Sequence, residues 1–383
     1  MTTKKVSKEV AKRGNGEGSI YQRKEDGKWV GSITLENKKR KVLYGKTRKE
    51  VQEKMKVALH EQQQGTLITA PQQTLKSYLE HWLEDVHKPS IRISTYVKYK
   101  KLMNGHIIPA LGHIKLQKLT PQQVQRFYTD KLKQGAAPKM VSNIHGVLHK
   151  ALDNAVKWSL IARNVCDAVS PPRVPKTEKQ VLTKQQAHTL LEYVKKHRLE
   201  AILVLAVTTG MRRGEILALR WRDVSFEDGS IQVRRTVDYI PHYGYVENEP
   251  KTARGRRKIM LPSFVINILK AHRLQQIEAK SKVGPDWIEK DLVFCGIHGD
   301  YFNPNYLLRV FKRVLVDAGL PHMRFHDLRH SAATILLSMN IHPKVVQEVL
   351  GHSTINMTLD TYSHVLPSMQ KDITDRWDNE FSS

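Results

Sequence analysis

Ten residues near the middle of the chain, PPRVPKTEKQ at 171–180, constrain the fold more than any other stretch. Three prolines lack an amide donor and fix φ, so the segment continues neither a helix nor a central strand. With its interspersed charges it reads as an extended linker and a domain boundary. A chain of 383 residues is longer than one ordinary hydrophobic core supports. Two or three domains are therefore expected, the last one starting at about 180.

On the N-terminal side, residues 1–14 read as a basic arm. GSIYQRK (18–24), KWVGSITLE (28–36) and KRKVLYG (39–45) read as three short strands, with Asp26-Gly27 as a hairpin turn. Thr47 and Glu50 have the spacing of a capping box before the helical VQEKMKVALHEQQQ. Residues 65–73 read as a linker. From 74 to 170 the pattern is helical. TLKSYLEHWLEDV places apolar residues at 75, 78, 79, 82, 83 and 86 on one face. Thr120-Pro-Gln-Gln has both a capping box and proline at the first helical position. A further helix is expected over 142–161. Beyond the linker, Thr183 caps a mostly helical region interrupted by a strand pair near 230–237 and 256–261, and a polar tail runs from 367 to 383. The expected fold class is multidomain α+β: a small three-stranded sheet with one helix (1–64), an all-α domain (74–170), and a mostly helical domain with a small antiparallel sheet (180–383).

Charge narrows the function. The chain has 63 Lys and Arg against 37 Asp and Glu, a formal net charge of +26. Such an excess calls for a polyanionic partner, most often nucleic acid. Residues 1–64 alone carry 17 Lys and Arg against 8 Asp and Glu, so the small sheet reads as a DNA reader. The two cysteines, Cys166 and Cys295, are far apart, which argues against a zinc site or a disulfide framework. The basic N-terminus lacks the apolar stretch of a secretory signal, and the longest apolar run, AILVLAV, is too short to span a bilayer. A cytoplasmic protein with no membrane partner is expected.

Three clusters carry the chemistry: TGMRRGEILAL (209–219), HDLRH (326–330) and LGHSTINMTLDTY (350–362). They place Arg212, His326, Arg329, His352 and Tyr362 in order, with Lys251 between the first two clusters. Arg212 and Glu215 are three residues apart, as are His326 and Arg329, a spacing that shares a helix face. Taken singly, Arg212–Glu215 reads equally as an ion-pair brace, His326 as a core histidine and Tyr362 as amphipathic packing. Together, cations and imidazoles suit a phosphodiester in flight, and a tyrosine hydroxyl is a credible nucleophile toward it. No carboxylate set with metal-ligand spacing accompanies them, so neither metal nor cofactor is expected.

These residues resemble the tyrosine recombinases, specifically phage-type integrases. TGMRRGEILALRW is similar to the family's first arginine box, HDLRHSAAT to its His-x-x-Arg box, and LGHSTINMTLDTYSHV to its His-to-Tyr box. EPKTARGRRKIMLP resembles the family's β-hairpin lysine segment. That gives Lys251 the role, with Lys258, on the returning strand, as the lesser candidate. The resemblance is specific over roughly 180–366. It is looser over 74–170, which resembles the helical core-site-binding domain, and 16–64 is similar to arm-site-binding domains.

The resemblance implies a site-specific recombinase that integrates or excises a phage or mobile element through a 3′-phosphotyrosyl intermediate and a Holliday junction. Tyr362 would be the nucleophile, Arg212 and Arg329 the phosphate ligands, Lys251 the general acid, His326 the base, His352 a phosphate donor and Glu215 a support. Implied partners are double-stranded DNA at core-type and arm-type sites, three further protomers in a homotetramer, a host DNA-bending protein and an excisionase. Two other readings remain. A type IB topoisomerase-like enzyme would relax DNA without exchanging sites, and a catalytically silent architectural protein would bind DNA without a covalent intermediate.

Overall fold

The structure, a computed structural model, describes residues 18–34, 40–63, 72–175, 180–250, 255–352, 354–355, 358–359 and 381. The expected arm at 1–14, Lys251 and Tyr362 lie outside the described residues, as do most of the linker at 65–73 and of the tail. The chain divides into two compact units, Met1–Lys176 and Thr177–Ser383. The division falls within the proline-rich segment.

The first unit opens with an antiparallel sheet, β1 (Ser19–Gln22), β2 (Trp29–Thr34) and β3 (Arg40–Gly45), in the order β1-β2-β3. Helix α1 (Arg48–Gln63) packs one face through Val51, Met55 and Ala58 against Ile33. Gly31 permits this approach, since a Cβ there would stand 2.5 Å from Met55 Sδ and 2.6 Å from Val51 Cγ1. The cap differs from the expected box by one residue. The Glu50 amide donates to Thr47 Oγ1, but the Glu50 carboxylate accepts from the amide of Lys46 rather than Thr47.

Helices α2 (Leu75–His81), α3 (Ile93–Leu102), α4 (Ile108–Leu111), α5 (Pro121–Lys133) and α6 (Pro138–Lys157) form a second core in the same unit. The Thr120–Gln123 capping box forms as the spacing predicts. Two expectations need correction. A π turn at Trp82–His87 inserts a residue into the helical repeat, so the apolar face slips. Val86 is consequently exposed and His87 buried in its place. Helix α6 also starts and ends four residues earlier than 142–161, because Pro138 supplies the first-turn position.

The second unit is built on α8 (Glu200–Thr209), which is buried along nearly its whole length. Around it lie α7 (Lys184–Tyr193, with the expected Thr183–Gln186 capping box), α9 (Arg213–Leu217), α10 (Ser263–Val283), α11 (Pro304–Asp317), α12 (Asp327–Ser338) and α13 (Pro343–Leu350). Strands β4 (Val224–Ser225), β5 (Ser230–Val233) and β8 (Arg257–Met260) form a sheet in the order β4-β5-β8. The expected strand over 230–237 is in fact two strands. Val237 belongs to β6 (Thr236–Ile240), which pairs with β7 (Gly244–Asn248) in a separate hairpin. Its turn, Pro241-His242-Tyr243, lacks an Asn-Gly or Asp-Gly signal, and His242 takes φ +66° without being glycine. Among the described residues no helix is long and apolar enough to cross a membrane.

Candidate active site

Helix α8 ends at Gly210, whose φ of +61° is left-handed. A Cβ there would overlap the Leu350 side chain, so glycine is required on two counts. The turn aims the Gly210 carbonyl at Arg329 Nη1, 2.9 Å away. Arg212 follows in extended conformation as the N-cap of α9. It is therefore not on the helix face expected from the i, i+3 spacing. The spacing instead produces a cap: the Glu215 carboxylate accepts from the Arg212 amide (3.1 Å) and from Arg212 Nη1 (2.6 Å).

His326 is the N-cap of α12, and Arg329 lies in the first turn. Arg329 is 3% exposed, and its Nη2 is buried with no hydrogen-bond partner among the described residues. His326 stands edge-on to His330 with ring centroids 5.5 Å apart. Helix α13 ends at Gly351, also left-handed at φ +67°, which turns the chain so that His352 is buried. His352 Nδ1 lies 2.9 Å from Thr358 Oγ1, and its amide donates to Gln347 O at 3.1 Å. The Gln347 side-chain amide returns a bond to His352 O at 3.2 Å. Arg212 Nη2 reaches the Gly351 carbonyl at 3.4 Å, which joins the first cluster to the third.

The structure thus brings Arg212, Glu215, His326, Arg329 and His352 into one electrostatic neighbourhood. Burial, then the charges of Arg329 and Arg212, depress the pKa of His326. The same causes in the same order push His352 down to about 3. Both rings are neutral at physiological pH. Burial, then the charges of Arg212 and Arg257, bring Arg329 down to about 9. Glu215 titrates below its usual range: burial opposes ionisation, and the charges and hydrogen bonds of Arg257 and Arg212 outweigh it. One carboxylate therefore faces three guanidinium groups. A buried cation without a counter-ion is costly, so such an excess marks a site for an anion.

Sequence reasoning overlooked three members of this site. Arg257 is buried on β8 and donates to Glu215 Oε2 at 2.9 Å. The signal was its period-two inward position beside Ile259. Gln347 and Thr358 fix His352, and nothing in their spacing marks them. Lys258 lies on β8 opposite Gln232 and pairs with Asp228 at 3.3 Å. A His149–Asp153–Asp167 group with metal-ligand spacing lies in the first unit. Each His149 ring nitrogen already faces a different carboxylate there, at 3.2 and 2.9 Å. Cys166 and Cys295 are free thiols.

The phage integrase family model matches residues 180–369, and the phage integrase N-terminal SAM-like domain matches 74–132. A tyrosine recombinase XerC-like protein of Caldanaerobacter subterraneus subsp. tengcongensis is 32% identical over 86% of this chain and 89% of its own length. The ICEBs1 integrase of Bacillus subtilis is 27% identical over 74% and 77%. The Tn1549 transposon integrase in complex with transposon right end DNA is similar in fold. It has a TM-score of 0.67 and 21% identity, with 81% of this chain and all of that one covered. A lambda integrase dimer bound to a core site has a TM-score of 0.55 and 18% identity, covering 91% and 96%. The chain belongs to the phage integrase family and is a site-specific tyrosine recombinase of the integrase type.

Proposed function

We propose that this integrase cuts and rejoins DNA through a 3′-phosphotyrosine formed on Tyr362, and that the cluster around Arg329 holds the scissile phosphate. The observation that carries this reading is the Arg329 guanidinium, buried and, among the described residues, with Nη2 unpartnered beside two further arginines and a single carboxylate. Arg212 and Arg329 grip the non-bridging oxygens, whose charge grows as phosphorus becomes pentacoordinate. Guanidinium forks fit that geometry better than point charges. Tyr362 Oη forms the new bond to phosphorus and the bond to the 5′ oxygen breaks. His326, neutral by burial and by its cationic neighbours, accepts the tyrosine proton. Lys251 supplies a proton to the leaving 5′ oxygen. If the neutral His352 ring accepts from Thr358 at Nδ1, its Nε2–H is left to donate to the phosphate. The phosphotyrosine conserves the energy of the broken ester, so resealing requires neither ATP nor a metal.

Residues 74–170 would bind core-type sites and 1–64 arm-type sites. The open face of the β1–β3 sheet supports the latter. It carries exposed Tyr21, Val42 and Tyr44 with Ser19 and Arg40, a mixed aromatic, hydroxyl and basic surface. A lambda integrase tetramer has been solved on a Holliday junction, and four protomers of this chain would act likewise. A host DNA-bending protein and an excisionase complete the proposed assembly, in the bacterial cytoplasm at the nucleoid.

The test is exchange between two attachment-site duplexes, drawn from DNA flanking the gene, in the presence of EDTA. Recombinant products support the reading. Relaxation of supercoils without exchange would indicate a topoisomerase, and tight binding with no covalent product would indicate an architectural protein.

A further inference from the structure

Arg257 belongs to none of the three sequence clusters, yet it touches the first at Glu215 and, at Val349, the residue just before the third. Its side chain is 6% exposed. Nε donates to Val349 O (2.7 Å) in the last turn of α13, three residues before His352. Nη1 donates to Gly255 O (3.2 Å), and Nη2 to Glu215 Oε2 (2.9 Å). Each side-chain nitrogen thus has its own acceptor, from three separate stretches of chain. An ammonium on a flexible stem cannot reproduce that fork.

Its effect on Arg212 follows from how a carboxylate is shared. An unconstrained Arg–carboxylate pair closes into a bidentate fork–fork arrangement. Here Glu215 gives Arg212 Nη1 only Oε1, because Oε2 is taken by Arg257 and by the Arg212 amide. Arg212 remains 40% exposed, and among the described residues its Nη2 is held only by a long 3.4 Å contact to Gly351 O. The guanidinium is braced on one edge and open on the other.

We propose that Arg257 is a positioning residue: by occupying Glu215 Oε2 and anchoring the end of α13, it keeps one edge of Arg212 free and aimed at the scissile phosphate. This rests on the proposed role of Arg212 as a phosphate ligand. Loss of Arg257 lets Glu215 rotate onto both Arg212 nitrogens, which quenches the charge that should meet the phosphate.

The test is single-turnover cleavage of nicked core-site DNA bearing either the natural phosphodiester or a methylphosphonate at the scissile position. The methylphosphonate replaces one charged oxygen with methyl, so the arginine that neutralises that oxygen becomes dispensable. Wild type, Arg212→Ala, Arg257→Met and Arg257→Lys are compared, with core-DNA affinity measured alongside. Arg257→Met and Arg257→Lys should cleave the phosphodiester about 10²-fold more slowly at unchanged affinity. On the methylphosphonate both deficits should shrink to within tenfold, as for Arg212→Ala. Arg257→Lys keeps the charge, so it reports even if the methionine variant folds poorly. Equal impairment on both substrates would reduce Arg257 to a structural residue, and wild-type rates on both would remove it from the site. Full phosphodiester cleavage by Arg212→Ala would overturn the underlying reading of Arg212, and the proposal with it.

Discussion

Glu84 in the first unit and Glu215 in the second each sit between two basic side chains. Glu84 accepts from Lys88, Lys100 and the Tyr96 hydroxyl at 2.6–3.2 Å, and its side chain is 38% exposed. The Tyr96 and Lys100 hydrogen bonds hold its carboxyl at about 2. Solvent reaches every charge in that network, and a surface pair contributes little. Glu215 is 3% exposed, is shared by two arginines, and has a third arginine nearby that it does not touch. The two networks differ in where their excess charge goes. Water screens it around Glu84. Around Glu215 it remains as a field that, after burial, adds to the depression of two histidine pKa values. An ion pair alone therefore does not mark a functional site, whereas a buried, uncompensated surplus does.

The contrast predicts its largest effect at Arg329. Arg329→Met should slow cleavage by on the order of 10²–10³, while the melting temperature of the free protein holds or rises, since a buried unpaired charge is removed. A loss of both activity and stability would make Arg329 a structural brace. Glu215→Gln comes next, because it leaves Arg257 and Arg212 without their counter-ion. A cost of about 3–5 kcal/mol is expected in denaturant unfolding.

A pH effect of intermediate size follows from the histidines. Their folded pKa values lie below the unfolded value, so their contribution is fully present above about 6.5. It is lost as pH falls toward the folded value, which for His352 is about 3. Unfolding free energy should therefore decline from about pH 6.5 downward. Arg329→Met should flatten that decline by removing the second-largest cause of the His352 shift. An unchanged profile in the variant would contradict the field described here. The smallest effect is at Glu84→Gln, which should change stability by no more than about 1 kcal/mol. A larger loss would erase the distinction between the two networks.

Local signals in the sequence carried much of this. The capping box at Thr120 and the cap at Thr183 depend on neighbouring residues, and they formed as the spacing implies. The failures are local irregularities that spacing rules omit and, for Arg257, a distant partner. The π turn at Trp82–His87 exchanges Val86 for His87 in the core, and spacing rules contain no term for an inserted residue. The β6–β7 hairpin lacks a two-residue turn signal. Arg257 looks like one more surface base in a very basic chain until β8 turns it inward onto Glu215, 42 residues away in sequence. Arg212 was recognised by type and place, but its extended, one-edged geometry depends on Arg257.

The most direct test is to trap the protein on nicked core-site DNA in EDTA and identify the DNA-linked peptide by mass spectrometry. The account predicts a 3′-phosphate ester on Tyr362, absent in Tyr362→Phe and strongly reduced in Arg329→Met, with core-DNA affinity retained in both. A covalent product that survives in Tyr362→Phe, or one linked through a 5′-phosphate, would contradict it.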